Sequence, residues 1–203
     1  MRKLLFEQKD LAQSVKEGHF AVHRVKPVGE RLPEIHVPTG DVQKAEEGSV
    51  LRYGDQLYSR DAYVELRGAL GELYRLGPDS DFSIVPVPMI GFTPVYEGRV
   101  LIITANGKYR TSCYIPKITG AYIEKAGENL DAFYALMEDL LVFEYDEAGE
   151  YFEIVRVPRG NRAYLRHHPD RRMRDRYEVV ALERIPDEKI TEILDTYVNP
   201  LRW

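Results

Sequence analysis

The sequence predicts a single α+β domain over residues 1–203, in which antiparallel β-hairpins pack against about four helices. Two patterns support this fold class. Apolar residues recur at helical spacing in four separate segments, and stretches rich in β-branched and aromatic residues lie between those segments. The strand-like stretches come in groups and do not alternate regularly with helices, which favours hairpins over a βαβ array. A chain of 203 residues is long enough for one sizeable core, so we expect one domain.

Four segments carry the helical pattern: residues 3–16, 59–77, 129–143 and 186–198. In the second, Ser59 is suited to cap the N-terminus, and apolar residues recur at helical spacing until a Gly-Pro pair ends the segment. The third has an apolar stripe with acidic residues on its other side. In the fourth, Pro186 begins the helix, and the two acids that follow it are favoured by the helix dipole.

The β pattern begins at residues 20–25, which are followed by a long loop over residues 26–48 with one short strand at residues 34–37. The strongest hairpin signal is Asn106-Gly107 between residues 99–105 and 108–115, because this dipeptide tolerates the positive φ angles of a two-residue turn. That register places Val100 opposite Cys113 and Ile102 opposite Thr111.

A second hairpin is predicted from residues 151–157 and 162–167, joined by a turn at residues 158–161. In this arrangement Glu153 lies near Arg166, which gives a favourable cross-strand charge pair. A further strand is expected at residues 177–185.

Composition excludes several classes of protein. Hydrophobic residues make up 44% of the chain and charged residues 30%, and no apolar run approaches the length needed to cross a bilayer. The first ten residues form no export signal, because acids and amides interrupt them. Cys113 is the only cysteine, which excludes an internal disulfide and fits a reducing compartment. We therefore predict a cytoplasmic protein that does not contact a membrane.

The polar composition is typical of proteins from hot environments. Four Asn and four Gln stand beside 28 Lys and Arg and 33 Asp and Glu. Few thermolabile amides together with many ionic side chains are the thermophile bias. We favour a thermophilic source, with a GC-rich mesophile as the alternative.

The most unusual segment of the sequence runs from Arg156 to Arg176. It contains eight arginines and two aspartates, a net charge of +6, so the rest of the chain carries −11 within a total of −5. Guanidinium groups bind phosphate in a bidentate manner and stack on bases. Tyr164 and Tyr177, near the edges of the segment, are suited to stack on exposed bases.

We therefore predict that this segment binds a phosphate-rich ligand, with nucleic acid as the leading candidate and a phosphorylated small molecule as the other. The predicted ligand-binding residues are Arg159, Arg162, Arg166, His167, His168, Arg171, Arg172 and Arg174. The alternative is that the arginines pair with the acidic stretch 138–153 of the same chain, in the ion networks that a hot environment favours. The acidic net charge weighs toward that alternative, because strong nucleic-acid binders usually have a basic domain.

The histidines add one hypothesis. Neighbouring positive charge disfavours protonation of His167 and His168, which leaves neutral imidazoles able to act as a base, although two solvated loop residues are the simpler interpretation. His19 and His23 lie four residues apart, but no third ligand is identifiable, so no metal site is predicted. The common phosphate-loop, dinucleotide, nucleophile-elbow and zincin motifs do not occur, and no cofactor is predicted.

Three classes of function follow from these observations. The leading one is a binding protein for a phosphate-rich ligand. The second is a small enzyme acting on a nucleotide or another phosphorylated substrate, with a histidine base and arginines as anion clamps. The third is a non-catalytic interaction or assembly component, in which Arg-rich and Glu-rich faces of neighbouring copies meet in a homo-oligomer. The sequence does not decide whether the protein is an enzyme.

Overall fold

The computed structural model describes residues 20–68, 71–87, 91–109, 113–145, 151–171 and 176–199. These residues contain sixteen strands, one short α-helix and one π-helical turn. The first eight strands are β1 (Phe20–Pro27), β2 (Glu34–His36), β3 (Val42–Lys44), β4 (Val50–Leu51), β5 (Gln56–Tyr58), β6 (Ala62–Gly68), β7 (Leu73–Leu76) and β8 (Asp81–Val87). The other eight are β9 (Gly91–Glu97), β10 (Val100–Tyr109), β11 (Cys113–Gly127), β12 (Leu130–Ala135), β13 (Leu140–Tyr145), β14 (Tyr151–Val157), β15 (Asn161–His167) and β16 (Tyr177–Arg184).

All of these strands belong to one hydrogen-bonded sheet. Its longest path runs in the order β16, β15, β12, β11, β10, β9, β8, β5, β2, β3, and β7, β6, β1 and β4 branch from it at β10. Strands β13 and β14 branch at β11. In the described part of the chain, the paired strands are antiparallel except β9 and β10, which pair in parallel. Antiparallel neighbours joined by short turns are therefore the main building unit of the fold.

The central strands of the sheet are buried on both faces. Within β12, Phe133 and Ala135 belong to the larger hydrophobic cluster, whereas Ala132 and Tyr134 belong to a second cluster on the opposite face. Successive residues of a strand point to opposite faces, so each face of β12 faces a core. Strands β10 and β11 alternate between the two clusters in the same way.

The C-terminal segment covers the second cluster. Helix α1 (Asp187–Ile193) continues into the π-helical turn Leu194–Val198, and this segment buries Ile193 and Tyr197. The Tyr197 ring packs on Tyr122 with 5.0 Å between centroids. The helix predicted at residues 186–198 is therefore confirmed in place, and its buried side chains explain why it is stable at so short a length.

The predicted α+β fold with about four helices is wrong, because the described residues form mostly antiparallel sheet with one short helix. Residues 59–77, predicted as a helix, form β6 and β7. Ala62, Val64 and Leu66 alternate into the core, and Gly71 at φ +88° allows the turn between the two strands. Ser59 caps no helix, since it is buried with its Oγ 2.7 Å from the carbonyl oxygen of Gly77.

Residues 129–143, also predicted as a helix, form β12 and β13. Residues 132–135 are all buried, because successive side chains enter the two clusters on opposite faces of the strand. The sequence therefore lacks the alternation of apolar and polar residues by which a strand is usually recognised. The segment predicted as a helix at residues 3–16 lies outside the described residues.

Both predicted hairpin registers are wrong. Asn106-Gly107 lies inside β10, where Val100 is opposite Ile123 and Ile102 is opposite Ala121. Strands β14 and β15 form where expected but do not pair with each other: β14 pairs with β13, and β15 pairs with β12 and β16. Glu153 consequently contacts Arg156, not Arg166.

Other strand predictions are confirmed. β1 covers the stretch predicted at residues 20–25, β2 the short strand near residue 35, and β16 the strand expected at residues 177–185. The segment 26–48, expected as a long loop, also contains β3. No helix in the described part of the chain is long and apolar enough to cross a membrane.

Candidate anion-binding site

The structure brings four of the predicted ligand-binding residues together in one cleft. The cleft has a volume of about 400 Å³ and lies where β15 ends and the turn toward β16 begins. Its lining consists of Glu128, Asn129, Arg166, His167, His168, Pro169, Asp170 and Arg171. We call it the Arg–His cleft.

Backbone hydrogen bonds fix the shape of this cleft. The amide of His167 donates to the carbonyl oxygen of Asn129 over 2.7 Å, which ties the end of β15 to the turn before β12. The amide of His168 donates to the carbonyl oxygen of Arg176 over 2.7 Å, and that of Arg171 to His168 over 3.1 Å. Asn129 adopts φ +53°, a left-handed conformation that asparagine tolerates in turns. The side chains of the cleft are thus carried by a hydrogen-bonded turn at the end of two paired strands.

The two cationic side chains of the cleft have different surroundings. Arg166 lies 3.7 Å from the carboxylate of Glu178 on β16, which is directly opposite it in the sheet. Arg171 is exposed and has no ion pair with a described residue. Arg171 is therefore the more available guanidinium, and Arg166 is shared with a carboxylate of the same chain.

His168 is also bound to Glu178. Its Nε2 lies 2.9 Å from Oε2 of that glutamate, and its side chain is 22% exposed. The hydrogen bond from His168 holds the pKa of Glu178 below its usual value, with further contributions from the charges of Arg166 and Arg171, against a smaller opposing effect of burial. The ring of the neighbouring His167 packs on Tyr177 with 5.1 Å between centroids.

Acidic side chains share the cleft with the arginines. Glu128 and Asp170 line it and are exposed. With both histidines neutral, the lining carries as many negative as positive charges. The cleft therefore attracts an anion mainly through the N–H donors that point at it, because its net charge is not strongly positive.

Four other members of the predicted set lie elsewhere. Arg162 pairs with Glu183 of β16, with its Nε 2.8 Å from the carboxylate, and lies over the rings of Tyr134 and Tyr164. Arg159 is exposed in the turn between β14 and β15, where its backbone amide donates to Asp139. Arg172 and Arg174 lie outside the described residues. The structure thus divides the arginine-rich segment into parts with different environments.

The alternative of internal pairing applies to some of these arginines. Arg156 lies 3.3 Å from Glu153, and Arg176 lies 3.3 Å from the buried Glu144, both in the acidic stretch 138–153. Arg162 and Arg166 pair with glutamates of β16. The guanidinium groups of Arg159 and Arg171 form no ion pair with a carboxylate within the part of the chain that the structure describes.

Glu178, which lies beside two residues of the cleft without lining it, is the partner that the sequence did not identify. Its role depends on the register between β15 and β16, which contains an irregularity between Tyr164 and Leu165. Arg162 and Arg166 lie four residues apart and their partners Glu183 and Glu178 five apart, so the charge pattern alone does not indicate this register.

A second cleft of about 600 Å³ lies where the β9–β10 turn meets the end of β11. Asp81 and Glu97 line it and are directly opposite each other in the β8–β9 pair. Burial, together with the charge of Glu97, raises the pKa of Asp81 to about 6. Within the described part of the chain, no three His, Cys, Asp or Glu side chains are placed so that together they could hold a metal ion.

Comparison with protein families, curated proteins and solved structures gives no match to this chain.

Proposed function

We propose that the chain binds a phosphate-rich ligand through the Arg–His cleft, with nucleic acid as the leading candidate. The observation that carries this proposal is the convergence of Arg166, His168 and Arg171 on one cleft at the end of β15. Guanidinium and imidazole N–H groups are suited to donate to phosphate oxygens. A cleft of about 400 Å³ is within the range of small-ligand sites.

The arginines are expected to position the phosphate and to contribute no base selectivity. Contacts to phosphate carry little sequence information, and each one releases about one counterion from a nucleic acid. The acids Glu128 and Asp170 limit the net attraction, so binding should be moderate and sensitive to salt.

The test is fluorescence anisotropy with a labelled single-stranded oligonucleotide at increasing salt concentration. Arg171→Ala should weaken binding about threefold to tenfold for every sequence and reduce the slope of log affinity against log salt by about 0.7, the value for one phosphate contact to a single strand. Arg184→Ala is the matched control, because Arg184 is 84% exposed on β16 and does not line the cleft. Equal affinities and equal slopes for wild type and Arg171→Ala would contradict the proposal.

A second candidate function is an enzyme for a phosphorylated substrate. The hydrogen bond between His168 and Glu178 favours it, because a carboxylate that orients an imidazole is a common arrangement for a general base. A panel of nucleotides and sugar phosphates, assayed for release of inorganic phosphate, provides the test. Turnover that persists unchanged in His168→Gln would exclude this histidine as the base.

A further inference from the structure

One carboxylate connects the donors of the Arg–His cleft. Glu178 lies 2.9 Å from Nε2 of His168 and 3.7 Å from Nη1 of Arg166, although it is not itself part of the cleft lining. The charge of Arg171 also acts on it. His168, Arg166 and Arg171 all line the cleft, and all three therefore interact with the carboxylate of Glu178.

The sheet holds this anion in place. Glu178 is directly opposite Arg166 in the β15–β16 pair, so the two backbones keep the carboxylate beside the guanidinium whether or not the side chains touch. A tethered group competes at a high effective concentration, because it does not have to diffuse to its partner. A ligand phosphate therefore meets donors that are already occupied.

We propose that Glu178 acts as a built-in competitor, an intramolecular carboxylate that the phosphate group of a ligand must displace from Arg166 and His168. This inference rests on the proposed function of the cleft and adds the regulation of that site. The displacement is feasible because Glu178 and Arg166 are 47% and 45% exposed, and exposed ion pairs are weak. A phosphate monoester carries a charge of about −1.5 to −2 and three acceptor oxygens, so it is a stronger partner for these donors than one carboxylate. A nucleic-acid backbone carries one negative charge at every phosphodiester, so it competes through its series of charges.

The experiment compares wild type, Glu178→Gln and Glu183→Gln. Glu183 is the matched control, because it lies on the same strand, is 48% exposed and pairs with Arg162 outside the cleft. Both substitutions remove one negative charge from β16, so a general change in charge affects them equally. The probes are inorganic phosphate, followed by calorimetry, and the labelled single-stranded oligonucleotide, followed by anisotropy.

Glu178→Gln should bind the probes about threefold to fivefold more tightly than wild type, whereas Glu183→Gln should differ from wild type by less than about twofold. If Glu178→Gln binds only inorganic phosphate more tightly than wild type does, the ligand is a free phosphate group. If it binds both probes more tightly, the nucleic-acid backbone is also a ligand. Binding by Glu178→Gln but not by wild type supports the inference in its strongest form.

Other outcomes overturn the inference. Equal affinities of wild type and Glu178→Gln would leave the proposed function intact and remove the competitor. Weaker binding by Glu178→Gln would show that the glutamate positions the cations for the ligand. No binding of either probe by any of the three proteins would reject the proposed function and the inference together. Thermal unfolding of each variant checks that the loss of one exposed carboxylate leaves the fold intact, as we expect for a surface ion pair.

Discussion

Glu65 on β6 and Arg75 on β7 are directly opposite each other in the sheet, and the Nε of Arg75 donates to Oε2 of Glu65 over 2.8 Å. Both side chains are buried, at 1% and 9% exposure. Arg75 also donates to the carbonyl oxygens of Tyr197 and Val198, which connects the sheet to the C-terminal segment. Burial raises the pKa of Glu65, but the hydrogen bonds and charges of Arg75 and Arg67 outweigh it and hold this pKa below its usual value.

Arg75→Leu should lower the free energy of unfolding by about 3 kcal/mol, because it leaves a buried carboxylate with less compensation and removes the link to the C-terminal segment. Arg67→Ala is the control, since Arg67 binds the same carboxylate from a position that is 43% exposed and should cost less than about 1 kcal/mol. Urea denaturation at pH 7 measures both. Equal losses would show that burial does not distinguish the two arginines.

Asp81 should make stability depend on pH. Its pKa is raised to about 6 by burial and by the charge of Glu97, whereas an aspartate in an unfolded chain titrates near 3.9. The folded protein therefore binds this proton more tightly, so the free energy of unfolding falls as the pH rises from about 4 to about 6. The loss is about 1–2 kcal/mol after allowance for partial solvent screening.

Asp81→Asn should remove this contribution, and the variant should be more stable than wild type above pH 7. Asp79→Asn provides the control, because Asp79 is 73% exposed and its φ of +53° suits asparagine equally well. Thermal unfolding between pH 4 and pH 8 makes the comparison. If Asp81→Asn and wild type lose stability in parallel over this range, another group is responsible.

Gly98, in the turn between β9 and β10, should tolerate alanine poorly. It has φ +93°, and an added Cβ would lie 2.8 Å from the Cα of Ser80 and 3.0 Å from the carbonyl oxygen of Asp79. Gly40 has φ +94° with no described atom within 4 Å of the same position. Alanine at Gly40 should cost about 1–2 kcal/mol for the left-handed backbone alone.

Alanine at Gly98 should cost at least about 1 kcal/mol more than at Gly40, because backbone atoms have to move. Guanidinium denaturation of the two variants separates the steric cost from the conformational one. Similar losses would mean that the turn before β10 adjusts freely.

The sequence predicts strands that keep exposed or half-buried residues better than strands packed between two cores. β1, β15 and β16 form where the alternation and the turn residues place them. β12 was predicted as a helix because Ala132 and Tyr134 face one cluster while Phe133 and Ala135 face the other. A run of apolar residues without alternation carries no information about its period, so only the tertiary structure decides between helix and strand.

The same limit applies to the candidate site. The sequence identifies the arginines and histidines of the cleft by type, but their availability depends on the β15–β16 register, which places Glu178 beside Arg166 and Glu183 beside Arg162. The irregularity between Tyr164 and Leu165 shifts that register by one residue. Because local sequence seldom determines such irregularities, the division between paired and available arginines could not be predicted.

Arg162 illustrates this division and leads to the last prediction. Its guanidinium is held by Glu183 and lies 5.1 Å from the ring centroid of Tyr164 and 5.9 Å from that of Tyr134, with 18% of the side chain exposed. One carboxylate and two aromatic rings of the protein itself therefore contact this guanidinium, whereas Arg171 in the same segment is exposed and lines the Arg–His cleft. Arg162→Ala should lower the free energy of unfolding by about 1–2 kcal/mol and change oligonucleotide affinity by less than about twofold. Arg171→Ala should instead lower oligonucleotide affinity about threefold to tenfold and leave the free energy of unfolding nearly unchanged. Unfolding and anisotropy measured on the same two variants make this crossed comparison, and a larger loss of affinity for Arg162→Ala than for Arg171→Ala would place the ligand near the start of β15, away from the Arg–His cleft.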